Sequence, residues 1–238
     1  MKKIFGTILL GLMGSMSVFA QDNTTETPTE KKNIRKPSQD HIMIQLSHDR
    51  WAGAPDSVKT GGLGRGVSVY LCYDFPIKKS NFSFGAGVGI TSNNIYFKNQ
   101  RMVLNGRTGS PVFTETDKTI FKGQKLNTTY LEAPLELRYF ANKNNRNTGF
   151  KFAIGAKVGF NGIGGAHFKE KESIEGKFVT YKTNTKRYMQ TWRLTPTVRI
   201  GYGNFSVFAQ YTVTPLFNTG AGPEDIRPMS FGICISGL

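Results

Sequence analysis

Three consecutive residues, Ser47-His48-Asp49, carry the side chains of a hydrolase triad. A triad needs its groups within hydrogen-bonding reach of one another, whereas consecutive residues of a strand point to opposite faces. These residues therefore cannot form a triad among themselves, and we expect no catalytic residues and no enzyme activity. The sequence also has no paired-histidine spacing, no cysteine cluster and no glycine-rich loop that opens a helix, so we predict no metal and no cofactor.

A second set of ionisable side chains lies on alternate residues of strand-like stretches. The stretch TTYLEAPLELRYF, residues 128–140, places Glu132, Glu136 and Arg138 between apolar residues. Arg or Lys at mid-depth on a lipid-facing surface costs about 2–4 kcal/mol, and buried ions need partners of opposite charge. We therefore predict that these ions face a lumen and pair there with ions of neighbouring strands. The predicted lumen ion network consists of Asp74, Glu132, Glu136, Arg138, Lys151, Lys157, Arg193 and Arg199.

The elements that must position these ions are predicted from hydrophobic periodicity. Apolar residues recur at every second position through most of the chain, which is the period of a β-strand. Glycine, present at 27 positions, interrupts most windows that would otherwise suit a helix. We predict eight strands, over residues 41–52, 63–76, 82–97, 127–140, 149–162, 188–203, 204–217 and 227–238.

The lengths of the connections favour one architecture. Short links at three places alternate strictly with four long ones: 76–81, 141–148 and 203–204 against 53–62, 98–126, 163–187 and 218–226. Membrane barrels combine tight periplasmic turns with extended extracellular loops in this way. The sequence therefore predicts an all-β fold, an eight-stranded antiparallel up-and-down transmembrane β-barrel.

The two faces of the predicted strands differ in composition. The apolar face has aromatic residues at both ends, as the outside of a membrane barrel does. Those expected near the short turns are Tyr73, Phe75, Phe82, Tyr139, Phe140, Phe150, Tyr202 and Phe205, and those near the long loops are Trp51, Tyr96, Phe160, Trp192 and Phe217. The ionic face carries glycines, which make room inside a barrel only wide enough for side chains. We therefore expect a plugged lumen that conducts no solute.

Centring the three short turns predicts cross-strand neighbours on the ionic face. The predicted pairs are Asp74 with Ser83, Arg138 with Lys151, Glu132 with Lys157, and Thr197 with Gln210. Cys72 and Cys234 share this face but lie on strands two places apart, about 10 Å from each other. That distance exceeds the reach of a disulfide, so we predict two free thiols.

The N-terminus predicts export. A Lys2-Lys3 start, an apolar run and a small-residue cleavage site at Ala20 are typical of a signal peptide. We expect a signal peptide over 1–20, a disordered periplasmic leader over 21–40, and an outer-membrane barrel over 41–238. The formal charge of +15 suits phosphate-bearing lipids or acidic glycans, and export argues against nucleic acid as a partner.

Four stretches together resemble the PorT-like family of outer-membrane β-barrel proteins. They are SHDRWAGAPDSVKTG (47–61), FGAGVGITSNNIYF (84–97), TTYLEAPLELRYF (128–140) and FAQYTVTPLFNTGAGP (208–223). The resemblance implies an eight-stranded outer-membrane barrel, and the namesake of the family implies a part in protein secretion across the outer membrane. The final residues, Ile235-Ser236-Gly237-Leu238, lack the terminal aromatic residue common in such barrels.

The two long basic loops, 98–126 and 163–187, form the candidate binding surface. Its residues are Arg101, Arg107, Lys118, Lys122, Lys125, Lys169, Lys171, Lys177 and Lys182. We expect a monomer in contact with outer-membrane lipid, with lipopolysaccharide phosphates or a partner protein at these loops. Two alternatives stay open: an accessory component of outer-membrane protein secretion, and a periplasmic lipocalin-like ligand carrier whose apolar face lines a cup.

Overall fold

The computed structural model describes residues 42–78, 80–104, 111–142, 145–223 and 225–237, without the side chain of Leu104. The predicted signal peptide and leader, and Arg107, lie outside the described residues. Twelve strands are present in this part of the chain: β1 (Ile42–Ala52), β2 (Arg65–Pro76), β3 (Phe82–Tyr96), β4 (Gln100–Leu104), β5 (Pro111–Glu115), β6 (Phe121–Phe140), β7 (Phe150–Phe160), β8 (Ala166–Ile174), β9 (Lys177–Asn184), β10 (Trp192–Tyr202), β11 (Phe205–Tyr211) and β12 (Arg227–Ser236).

Eight of these strands close into an antiparallel barrel. Their order is β3-β2-β1-β12-β11-β10-β7-β6, and pairing between β3 and β6 completes the circle. A row of paired residues that starts at Phe75 and runs once around the barrel returns to β2 at Arg65, a displacement of ten residues. With eight strands, this stagger corresponds to a strand tilt of about 40°.

The sidedness of the barrel is that of a membrane protein. Large apolar side chains such as Leu71, Ile90 and Val207 point outwards and are exposed, whereas Glu132, Lys157 and the other predicted lumen ions are buried inside. A lipocalin-like carrier has the opposite arrangement, so the carrier alternative is wrong. Cys72 and Cys234 are free and buried.

Four strands lie within segments that we predicted to be loops. β4 and β5 form a separate hairpin, while β8 and β9 extend the main sheet from β6 beyond the barrel. Residues 121–126 are the first part of β6 and not loop, because they pair with β8 there. β11 ends at Tyr211 and not at 217, because the chain leaves the sheet before Leu216 and Phe217 enter a buried cluster.

Turn geometry explains which cross-strand pairs were predicted correctly. The two-residue turn Gly203-Asn204 has a positive φ of 59° at Gly203 and fixes the pair Thr197–Gln210. The other predicted pairs are wrong by two residues, because the first two turns are not centred where we placed them. The observed pairs are Asp74–Gly85, Arg138–Ala153 and Glu132–Gly159.

Three of the predicted girdle aromatics do not face lipid. Phe140 is buried inside the barrel because it lies on the same face of β6 as Arg138. Trp51 and Phe217 pack together at the long-loop end, with ring centroids 6.4 Å apart. Trp192 keeps the expected position, with 59% of its surface exposed above the apolar band.

Candidate functional site

The half of the lumen nearer the short turns, here called the lower half, holds an ion cluster centred on Glu136. Arg138 Nε and Arg199 Nη2 donate to Glu136 Oε2 at 2.8 and 2.9 Å, and Arg138 Nη1 donates to Asp74 Oδ1 at 2.7 Å. Lys151 Nζ donates to the Ser236 hydroxyl at 2.9 Å. These side chains come from five strands, so the cluster ties opposite walls of the barrel together.

The upper half of the lumen, nearer the long loops, holds a second cluster, centred on Glu132. Arg193 donates to Glu132 Oε1 through Nη2 at 2.7 Å and through Nε at 2.9 Å. The hydroxyls of Tyr70 and Thr91 donate to Glu132 Oε2 at 2.6 and 2.7 Å. Glu132 therefore has a charged donor at Oε1 and two neutral donors at Oε2, so both oxygens of the buried carboxylate are satisfied.

Lys157 joins the upper cluster through neutral oxygens. Its Nζ donates to the amide oxygens of Gln45 and Gln210, each at 2.7 Å, and to Tyr70 Oη at 3.0 Å. Within the described residues, no carboxylate lies within ion-pair distance of Lys157. The expected contact between Glu132 and Lys157 is therefore indirect and passes through Tyr70.

Glycines on the lumen face make room for the large ions. A Cβ at Gly85 would lie 2.6 Å from Arg138 Nε, and a Cβ at Gly159 would lie 2.8 Å from Arg193 Cγ. Pro134 has no N–H for the sheet, and pairing between β3 and β6 is interrupted opposite it. The stretch 128–140 therefore combines lumen-facing ions, neighbouring glycines that make room for them, and one interruption of its pairing with β3.

A hydrophobic cluster lies beyond the barrel at the long-loop end, and sequence reasoning missed it. It gathers buried residues from four connections: Val58, Phe97, Met102, Leu126, Ala166, Phe168, Tyr188, Met189, Leu216, Phe217 and Ile226. The loops also bind one another directly, because the Gln100 side chain accepts from Lys59 N at 2.6 Å and donates to Ser57 O at 2.7 Å. The long loops therefore form a packed platform.

One face of this platform carries five lysines in two rows. Lys125 on β6 is directly opposite Lys169 on β8, which is directly opposite Lys182 on β9. Lys122 is directly opposite Lys171. Directly opposite residues have Cβ atoms about 4.5–5.5 Å apart, so like charges are brought close together. We call these five residues the lysine face.

The lysine face points in the same direction as the lipid-contacting side chains of the barrel. Lys125 lies on the same side of β6 as Leu131, six residues further from the barrel centre. Six residues along a strand tilted by about 40° place Lys125 about 15 Å above the apolar band. Glu170 and Glu172 lie on the other face of β8, where Glu170 accepts from Arg101 at 2.6 Å.

The structure separates the other predicted loop residues from the lysine face. Arg101 packs over the Phe121 ring and pairs with Glu170 on the opposite face of the sheet. Lys177 also lies on that opposite face, because it alternates with Phe178 and Lys182 along β9. Lys118 lies in the turn before β6.

Hydrogen bonds, burial and neighbouring charges shift three pKa values on the platform. Hydrogen bonding from Lys59 lowers the pKa of Glu115, and the backbone N–H of Thr119 lowers the pKa of Asp117. Burial lowers the pKa of His167, and the charges of Lys182 and Lys169 lower it further. The smaller, electrostatic part of the His167 shift comes from two residues of the lysine face.

The Ser47-His48-Asp49 stretch is divided between two environments. Ser47 Oγ donates to Asp49 Oδ1 at 2.6 Å on the lumen side, whereas His48 lies on the outer surface against Phe231. Among the described residues, no group of three His, Cys, Asp or Glu side chains could hold a metal ion. No helix in the same part of the chain is long and apolar enough to cross a membrane.

Comparison with known proteins identifies the family. No curated protein matches the chain. Among solved structures, the chain is similar to Ail, the attachment invasion locus protein of Yersinia pestis, in a crystal structure of its complex with the heparin analogue sucrose octasulfate. The identity is 13% and the TM-score 0.38, over 82% of this chain and 94% of that chain. The narrower resemblance to PorT-like proteins stays a prediction. The family described as "Outer membrane protein beta-barrel domain" matches residues 38–233, which run from before β1 into β12, and the chain therefore belongs to this family of outer-membrane β-barrels.

Proposed function

We propose that this protein is a non-enzymatic outer-membrane barrel whose lumen is plugged and whose long-loop platform faces the cell exterior. The lysine face binds the phosphate-bearing sugars of lipopolysaccharide in the same membrane. A monomer suffices for this role, because all five lysines come from one chain. The short turns then lie in the periplasm, at the end of the barrel where β1 begins with Ile42.

The alignment of like charges carries the proposal. Lysines directly opposite one another destabilise a sheet, and the described residues of β9 and of 121–127 include no carboxylate that would relieve the repulsion. A polyanion laid across the rows would offset it. At about 15 Å above the apolar band, Lys125 lies at the level of head-group sugars and not of acyl chains.

The filled interior supports the plugged lumen. Two ion clusters span the barrel, and the cavity above them, between Arg193 and Leu216, has a volume of about 20 Å³. That volume is close to the space needed by a single water molecule. The barrel wall therefore acts as a rigid support for the platform.

The proposal is tested with the lipid-free, phosphorylated core oligosaccharide of lipopolysaccharide. Lys169→Gln/Lys182→Gln should weaken its binding to the folded barrel at least tenfold in a fluorescence titration at low salt. Lys118→Gln/Lys177→Gln is the matched control, because it removes two exposed lysines outside the lysine face. The proposal fails if both double variants lose the same affinity, since net charge alone would then explain binding.

The same variants provide a second readout. Since the repulsion is present only without ligand, Lys169→Gln/Lys182→Gln should be more stable to urea than the wild type while binding the oligosaccharide less well. The control pair should leave stability unchanged. A loss of stability in the lysine-face variant would indicate that these lysines have a structural role instead.

A partner protein at the loops, as in an accessory component of secretion, is the second candidate. The tip of the β8–β9 hairpin exposes Ile174, Phe178, Val179 and Tyr181 to solvent, and such side chains are common in protein interfaces. Deleting the gene and comparing exported proteins tests the secretion role. Unchanged export would remove it, without affecting the test of the lysine face.

A further inference from the structure

A separate basic cluster lies on the outer surface at the top edge of the apolar band. His48 on β1 is directly opposite Arg65 on β2, and Arg50 is the next outward-facing residue along β1. One row closer to the membrane centre, the paired residues Leu46 and Val67 are exposed and apolar. The outer surface of the barrel therefore changes from apolar to cationic between two adjacent rows of paired residues.

His48 holds Arg50 in a fixed position. Arg50 Nε donates to His48 Nε2 at 3.1 Å, and His48 Nδ1 donates to Gly64 O at 3.0 Å. The His48 ring also packs edge-on against Phe231, with centroids 5.1 Å apart. Among the described residues, the hydrogen bond of the Arg50 guanidinium uses Nε, so its two terminal nitrogens are available to a ligand.

The described residues offer the two guanidinium groups no carboxylate partner. Within the described residues, neither Arg50 nor Arg65 forms an ion pair. Asp49 points into the lumen, so it does not neutralise them. Arg227, opposite Ala52, adds a third guanidinium on this surface, although its Nη1 is occupied by the carbonyl of Val213.

The height of the cluster matches that of lipid phosphates. With a strand tilt of about 40°, the side chains of His48, Arg50 and Arg65 begin about 5–10 Å above Leu46. The head-group layer on each side of a bilayer is about 5–8 Å thick. An arginine pair at this level meets phosphates attached to acylated groups, whereas the lysine face lies farther out.

We propose that His48, Arg50 and Arg65 form a clamp for the phosphate of an outer-leaflet lipid. Arg50 and Arg65 bind the phosphate oxygens with charge-assisted hydrogen bonds, and arginine suits this role because its planar group can bind two oxygens at once. His48 is a positioning residue that orients Arg50. The clamp relies on the proposed outward orientation of the long-loop end, but not on oligosaccharide binding by the lysine face.

The probe is bisphosphorylated lipid A, which has the phosphates but lacks the core oligosaccharide. Native mass spectrometry of the detergent-folded barrel measures its binding beside lipid A from which the phosphates were removed. Arg50→Gln/Arg65→Gln should weaken binding of the bisphosphorylated form at least tenfold, and Lys169→Gln/Lys182→Gln should leave it unchanged. Arg50→Lys/Arg65→Lys should retain part of the affinity and serves as the charge-preserving control.

The outcomes separate the clamp from the lysine face. Equal binding of lipid A to the wild type and to Arg50→Gln/Arg65→Gln would overturn the clamp, as would equal binding of the dephosphorylated lipid. Competition by inorganic phosphate at concentrations similar to those of lipid A would show a site for free anions and would overturn the lipid assignment. Loss of oligosaccharide binding in the lysine variants, with lipid A binding intact, supports both sites.

Discussion

Replacing Glu136 with Gln tests whether the lumen ions hold the barrel together. The carboxylate accepts from two guanidinium groups, those of Arg138 and Arg199, and all three side chains are almost completely buried. Glutamine has nearly the same shape but removes the charge and points an N–H₂ group or a weaker acceptor at the two cations. The substitution therefore isolates charge from packing.

The expected loss is large. Removing one partner of a buried ion pair costs about 3–5 kcal/mol, because the remaining charge stays buried without compensation. Arg138 keeps its bond to Asp74, which places the loss towards the lower end of that range. For a protein of this size, a loss of about 3 kcal/mol lowers the melting midpoint by about 6–12 °C.

Urea unfolding of the barrel in lipid vesicles, followed by tryptophan fluorescence, measures this loss. Glu115→Gln is the matched control, because Glu115 pairs with Lys59 on the exposed surface of the platform. We expect no measurable change in the control. A loss below about 1 kcal/mol for Glu136→Gln, the range of exposed pairs, would refute the reasoning and would indicate that water reaches the lumen ions.

Three further predictions concern the glycines, the thiols and the lysine face. Gly159→Ala should lower the yield of folded, heat-modifiable barrel, because the new Cβ would lie 2.8 Å from Arg193 Cγ, and a yield equal to that of the wild type would contradict this close fit. Cys72 and Cys234 should resist maleimide in the folded barrel and react after denaturation, since both are buried; labelling of the folded form would contradict the packing. The pKa of His167 should lie below the ordinary value for histidine, and it should rise in Lys182→Gln or with bound core oligosaccharide. Because the folded state disfavours the protonated form of His167, the contribution of His167 to stability is present above the unfolded pKa and is lost as pH falls through the folded pKa. An NMR titration of the folded protein measures the folded pKa.

The barrel was predictable from the sequence because lipid and lumen impose opposite demands on alternate residues. From Glu132 to Arg138, buried positions that include three ions alternate strictly with outward-facing positions such as Leu135 and Leu137. Any strand that faces both environments must show this pattern. The fold and the sidedness therefore follow from the composition of each face.

The register was less predictable, since face parity leaves shifts of two residues unresolved. The Gly203-Asn204 turn has only two residues and fixes its pair, whereas the longer turns allow several centres. The observed shifts place Asp74 opposite Gly85 and Glu132 opposite Gly159. Large ions are thus directly opposite glycines. Applying this packing rule to the sequence would have favoured the observed register.

The platform was not predictable, because its apolar residues are scattered over four connections. Val58 and Phe168 stand among polar or small residues, whereas Phe97 and Phe217 are the last residues of predicted strands and were assigned to the outer girdle or to the strand itself. The lysine rows depend on the pairing of β6 with β8, which includes a register shift between Lys122 and Lys125. Sequence reasoning found the lysines but could not assign them to one face.

The rigidity of the platform is what gives the lysine face a defined geometry. Phe168 is buried in the hydrophobic cluster, one residue before Lys169 and on the opposite face of β8. Phe168→Ala should cost the platform about 3–5 kcal/mol and loosen the alignment of the lysines, while the barrel keeps its fold. Oligosaccharide binding should therefore fall severalfold although every lysine is still present. Unchanged binding would mean that the lysines act through their number alone, and that their register has no part in recognition.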